Sequence, residues 1–182
     1  MARSRYVALL RGINVGGKNP VSMADLRSTM EEGGYEGVRT YIASGNVLFD
    51  SDRPATGLED HIEGLLEARF GVPLVVVVRS ERQLRAVVSR APKGFGTEPT
   101  KYHSDAVFLK GPLTAAKAMG VVSLKEGVDD AWPGSGVVYF RRLSAKRTAS
   151  RMGRIVGTAE YRLMTIRSWQ TVLKLVDLLD ER

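Results

Sequence analysis

"VRTYIASGNVLFD", Val38 to Asp50, is the stretch on which the fold turns. Its two ends are rich in β-branched and aromatic residues, and Ser44-Gly45-Asn46 interrupts them with turn-forming side chains. The stretch therefore predicts two strands joined by a hairpin turn. A helical pattern lies before it. Ser22 stands three residues ahead of Asp25, as in a capping box with Asp in place of Glu, and Met23, Leu26 and Met30 follow at helical spacing up to Gly33-Gly34. A second lies after it: Thr56 and Glu59 read as another capped start, and Leu58, Ile62, Leu65, Leu66 and Phe70 form an apolar stripe that Gly71 ends. "RYVALLRG", Arg5 to Gly12, and "PLVVVVRS", Pro73 to Ser80, supply a strand on either side.

Strand, helix, strand, strand, helix, strand over residues 1–79 is the ferredoxin-like order. The four valines Val75 to Val78 do not alternate with polar residues, which predicts a strand covered on both faces. Residues 80–182 read as a variant of the same plan. "SERQLRAVVSRA" is helical, "PKGFGTEPTKYH" is a loop, "DAVFLKG" a strand, "LTAAKAMG" a helix, and a strand pair flanks "PGSG" and ends in "GVVYFRR". No repeat is visible at the level of letters. A last helix is expected from Thr165 to Leu179, with Ile166, Trp169, Leu173, Val176 and Leu179 on one side. The expected fold is thus α+β, two ferredoxin-like (βαββαβ-type) subdomains, 1–79 and 80–182, with a C-terminal helix.

Composition narrows the function. The 182 residues include no cysteine, so disulfides and thiolate metal sites are excluded and a reducing compartment is expected. The early apolar run, Tyr6 to Leu10, is too short for a signal-peptide core, and no stretch approaches a membrane span. A cytoplasmic protein with no membrane partner is expected. The formal net charge is +7. Nine basic residues and one acid fall between Arg141 and Lys174, so this segment carries the whole excess. Such asymmetry points to an anionic partner or to a solvated basic face.

"GINVGGKN", Gly12 to Asn19, is one residue short of a phosphate-binding P-loop, which needs Ser or Thr after the lysine. Pro20 removes an N–H two residues after Lys18 and biases Asn19 away from helical geometry. The helix signal begins only at Ser22, and Asn19 offers no hydroxyl to Mg²⁺. A nucleotide-hydrolysing loop is therefore rejected. Two readings stay open: a backbone nest for an anion, or a tight turn permitted by its glycines.

"LRGINVGGKN", "RTYIASGNVLFD" and "YRLMTIRSWQTVLKL" together resemble the bacterial family known as domain of unknown function 1697. The resemblance runs over nearly the whole chain. It implies an α+β fold with ferredoxin-like subdomains and a cytoplasmic setting, and brings no established activity. Arg11, Gly12, Ile13, Asn14, Val15 and Gly16 match the opening motif, and Ser44, Gly45 and Asn46 the turn motif. In the terminal motif, Ser168 and Gln170 stand where the family typically has asparagine.

Arg11, Asn14, Gly16, Lys18, Ser44 and Asn46 are candidates for binding a phosphate or carboxylate if the two loops meet. Arg167, Thr171 and Lys174, read at i, i+4 and i+7 of the last helix, form a candidate polar face opposite Trp169, itself read as a core anchor. Arg141, Arg142, Lys146, Arg147, Arg151 and Arg154 are candidates for nucleic-acid contact. The strands lack the paired aromatics that stack bases, so such contact would be to the backbone. His61 reads as packed or surface, His103 and Asp105 show no dependable pairing, and Glu59, Asp60, Glu63 and Glu67 read as a solvated face. No metal ligand set, cofactor motif or catalytic constellation is read. The leading expectation is a noncatalytic binding protein for a phosphorylated or nucleic-acid ligand. The alternatives are an enzyme acting on a small anionic metabolite through Gly12–Asn19, and a homodimer.

Overall fold

The computed structural model describes residues 3–181. It contains two four-stranded antiparallel sheets with interleaved helices, an α+β fold. The chain divides into two compact units: residues up to Arg85 together with those from Leu175 onward, and Ala86–Lys174.

The first unit runs β1 (Ser4–Leu10), α1 (Met23–Glu32), β2 (Glu36–Tyr41), β3 (Asn46–Ser51), α2 (Leu58–Phe70) and β4 (Val76–Ser80). Its strand order, β2-β3-β1-β4, is that of the ferredoxin-like arrangement. The Ser22 hydroxyl accepts from the Asp25 N–H at 3.3 Å and starts α1 as its sequence predicts. The start of α2 differs. Gly57, at φ 86°, is its N-cap and no side chain caps it, so the Thr56–Glu59 box does not form. Leu26, Met30, Ile62 and Leu66 pack over Tyr6, Ala8, Leu10, Val47, Phe49 and Val76 of the sheet. Val76 and Val77 point to opposite faces and both are fully buried, as the valine run requires.

The second unit repeats the topology with different material. α3 (Glu81–Ser89) leads to β5 (Tyr102–Leu109), α4 (Ala115–Val121), β6 (Asp129–Gly134) and β7 (Val137–Leu143). Three 3-10 turns follow, Ser144–Ala149, Met152–Gly157 and Glu160–Leu163, then β8 (Met164–Ser168) and α5 (Trp169–Asp180). The order β6-β7-β5-β8 places corresponding strands as in the first sheet. The 3-10 turns occupy the place that α2 holds in the first unit. Met152, Ile155 and Met164 complete an apolar cluster with Val107, Leu109, Val138 and Phe140.

One boundary is corrected. The last helix begins at Trp169, and residues 164–168 form β8, which pairs with β5 from Leu109↔Met164 to Asp105↔Ser168. The β-branched Thr165 and Ile166 suit a strand, and pairing with the open edge of β5 outweighs the helical spacing of the apolar residues. Ser168 then starts the helix, its hydroxyl accepting from the Thr171 N–H at 3.3 Å. Among the described residues no helix is long and apolar enough to cross a membrane.

Candidate functional site

The sequence-predicted residues of the first unit do meet. β1 and β3 are neighbours, with Leu9 opposite Asn46, so the loop leaving β1 lies beside the β2–β3 turn. Val15-Gly16-Gly17-Lys18 is a two-residue hairpin with φ 58° and 73° at its glycines, closed by the Lys18 N–H donating to Val15 O at 3.0 Å. Asn14 binds this hairpin to its surroundings. Its Nδ2 donates to Val21 O at 2.9 Å and to Ala43 O at 2.8 Å, and its Oδ1 accepts from the Val21 N–H at 2.8 Å. Asn46 is fully buried and donates to Tyr41 O and to the Ser44 hydroxyl. Gly45, at φ 81°, sits so close that a Cβ would come within 2.6 Å of Ile13 Cδ1, which only glycine avoids. The Asn14 amide thus ties the two loops together, while the Asn46 amide braces the β2–β3 turn itself. Arg11 is half-buried and Lys18 exposed at this end of the sheet.

The residues of the last segment do not share a helical face. Arg167 lies on β8 and is buried, and burial pulls its guanidinium down to about 10, still charged at neutral pH. Thr171 lies within 2.9 Å of the Ser168 hydroxyl in the first turn of α5, and Lys174 is half-buried further along it. Trp169 is buried and stacks edge-on with Phe95, an anchor of the core as expected.

The basic segment is likewise divided. Arg141 and Arg142 are consecutive on β7 and so point to opposite faces. Arg141 bonds to Asp130 at 2.9 Å and lies over the rings of Tyr102 and Trp132. Arg142 approaches Asp105 at 3.8 Å on the other face. Lys146, Arg147 and Arg154 are exposed on the 3-10 turns, and the Arg151 N–H donates to Asp129 at 2.8 Å.

Between the 3-10 turns and the second sheet lies a pocket of about 380 Å³. Met152, Ile155 and Ile166 give it an apolar floor, while Arg142, Arg147 and Tyr161 supply its polar lining. Three short turns cover a sheet face less completely than a continuous helix, which accounts for the opening. Arg142 connects it to a pair that spacing alone did not disclose. His103 and Asp105 both belong to β5, where i and i+2 share a face, and His103 Nε2 lies 3.1 Å from Asp105 Oδ1. Burial raises the Asp105 carboxyl above its usual range, and His103 and then Arg142 act against that shift. The signal that would have found this pair is the strand period, applied with β5 beginning at Tyr102. The pocket offers two guanidinium groups over an apolar surface, suited to an anion with a hydrophobic body.

The fold is similar to that of a solved structure, a conserved bacterial protein from Streptococcus pneumoniae. The two share 26% sequence identity with a TM-score of 0.85, over 98% of this chain and 99% of that one. No curated protein matches the sequence. A family model described as a protein of unknown function, DUF1697, matches residues 3–139.

Proposed function

The chain belongs to this family of unknown function, and from that starting point we propose that it is a noncatalytic binding protein for a small phosphorylated molecule with an apolar portion. The observation that carries the reading is the pocket of about 380 Å³, with Arg142 and Arg147 beside an apolar floor. Arg147 is exposed and can reach a phosphate as it arrives. Arg142, 3.8 Å from Asp105, adds a second guanidinium to the same pocket. The division of Arg141 from Arg142 across the sheet favours a small ligand over a long polyanion, which needs its cations on one surface.

Calorimetry with phenyl phosphate and with inorganic phosphate tests this. Phenyl phosphate is expected to bind more tightly, because only it fills the apolar floor, and Arg147→Gln should weaken it about tenfold. Equal weak binding of both would refute the pocket. Single-stranded RNA binding with a log K against log salt slope of about −3 or steeper, lost on neutralising Arg147, Arg151 and Arg154, would replace this reading with the nucleic-acid one.

A further inference from the structure

The Asp105 carboxylate stands between two basic groups. Its Oδ1 lies 3.1 Å from His103 Nε2, and its Oδ2 lies 3.8 Å from Arg142 Nη1. The strand register makes this arrangement. His103 and Asp105 share one face of β5, and Arg142 of β7 is directly opposite His103. Arg142 in turn lines the pocket of about 380 Å³. Contacts therefore run from His103, whose side chain is 48% exposed, through a carboxylate that is 9% exposed, to a guanidinium of the anion site.

Imidazole is the side chain whose charge ordinarily changes between about pH 5 and pH 8. The protein has two histidines, and the other, His61, belongs to the first unit. Around the pair, β6 places Asp129 opposite Arg142, β8 places Ser168 opposite Asp105, and the 3-10 turns bring Arg147 and Tyr161 to the pocket. Asp129 is engaged by the N–H groups of Lys125 and Arg151. Half-exposed, His103 exchanges its proton with solvent while the protein stays folded. Burial raises the Asp105 carboxyl, so a proton taken up here is shared by two coupled groups. Whichever of them holds it, the net charge of the pair passes from negative to neutral. Arg142 then meets no net opposing charge from the pair, and the pocket becomes more attractive to an anion.

We propose that the His103–Asp105 pair makes the pocket's anion affinity proton-dependent: protonation of the pair releases Arg142 from Asp105 to the ligand and tightens binding. His103 acts through Asp105 and Arg142, as a positioning residue. The inference rests on the pocket reading above and adds its regulation by pH.

Calorimetry with phenyl phosphate at about pH 5.5 and about pH 8, on the parent and on His103→Gln, tests it. The second ionisation of a phosphomonoester, near about pH 6, is common to both proteins and cancels in the ratio of their dissociation constants. At the higher pH the two should bind alike. At the lower pH the parent should bind about fivefold more tightly, a modest factor because water screens the half-exposed ring. His61→Gln should follow the parent, and Arg147→Gln should weaken binding at both pH values with the pH response kept. Linkage requires the reciprocal effect, which needs no variant: the NMR titration of the His103 ring should move to higher pH when phenyl phosphate is added. A His103→Gln variant that matches the parent at both pH values, or a His103 titration that the ligand does not move, would overturn this inference and leave the pocket standing. Absence of binding at either pH would overturn the pocket reading and this inference with it.

Discussion

His61 Nδ1 lies 2.7 Å from the Tyr35 hydroxyl on the inner side of α2. Burial, and then the nearby Arg53 charge, hold its imidazole below the ordinary protonation range. The folded state therefore favours the neutral ring. Its contribution to stability is fully present above the unfolded value of about 6.5 and is lost as pH falls through the lower folded value. Denaturant midpoints of the parent should drop as pH falls below about 6.5, and His61→Gln should flatten part of that slope. Identical slopes would remove His61 from the pH response. Other single residues show where sequence reading stops. Asn14 is a plausible ligand donor on sequence alone, yet its amide is committed to Val21 and to Ala43, a position 29 residues away that no local pattern reveals. The separation of Arg141 from Arg142, by contrast, follows from the strand period and was legible once "GVVYFRR" was read as a strand.

At the level of elements, β4 is an edge strand, and an open edge invites pairing with another chain. α2 closes it. Glu63 accepts from the Val76 N–H at 2.7 Å and Glu59 from the Val78 N–H at 2.8 Å. Two carboxylates one helical turn apart thus match alternate N–H groups of the strand. Their acidic run reads as a solvated face because helix period alone does not show what lies opposite. Replacing both, Glu59→Ala with Glu63→Ala, should lower stability by about 2 to 4 kcal/mol. It should also produce concentration-dependent association in gel filtration. A variant that elutes as the parent does at every concentration and is equally stable would show that water serves the edge as well. The misplaced start of α5 has a similar origin. "MTIRS" becomes a strand because β5 offers an unpaired edge, a partner that lies far back in the sequence.

Across the whole molecule, the two sheets share one strand order without any visible repeat of letters. The topology was legible because turn residues and apolar runs fall in the same succession in each half. The pocket of about 380 Å³ was not, because it depends on three 3-10 turns standing where a helix stands in the first unit. The first unit also draws on both ends of the chain. Arg5 of β1 donates to Leu179 O at 2.7 Å, Arg39 of β2 donates to Leu178 O, and Arg85 bonds to Asp180 at 2.6 Å. Cations at the last carbonyls of α5 complement its dipole. Leu179 is 3% exposed, and Leu179→Ala should cost about 2 to 4 kcal/mol. Hydrogen exchange should accelerate in β1 and β2, remote in sequence from the substitution. Acceleration confined to α5 would show that the helix end is not part of that unit's cooperative structure.

The grip of Arg5, Arg39 and Arg85 on the end of α5 bears on how the protein is made. During translation, β1 to β4 leave the ribosome before the residues that complete their unit exist. Residues 175–181 emerge only after the whole of Ala86–Lys174 has been synthesised. The N-terminal unit is begun first and finished last. A stalled or shortened nascent chain would therefore leave its earliest segment without these partners, open to chaperones and proteases.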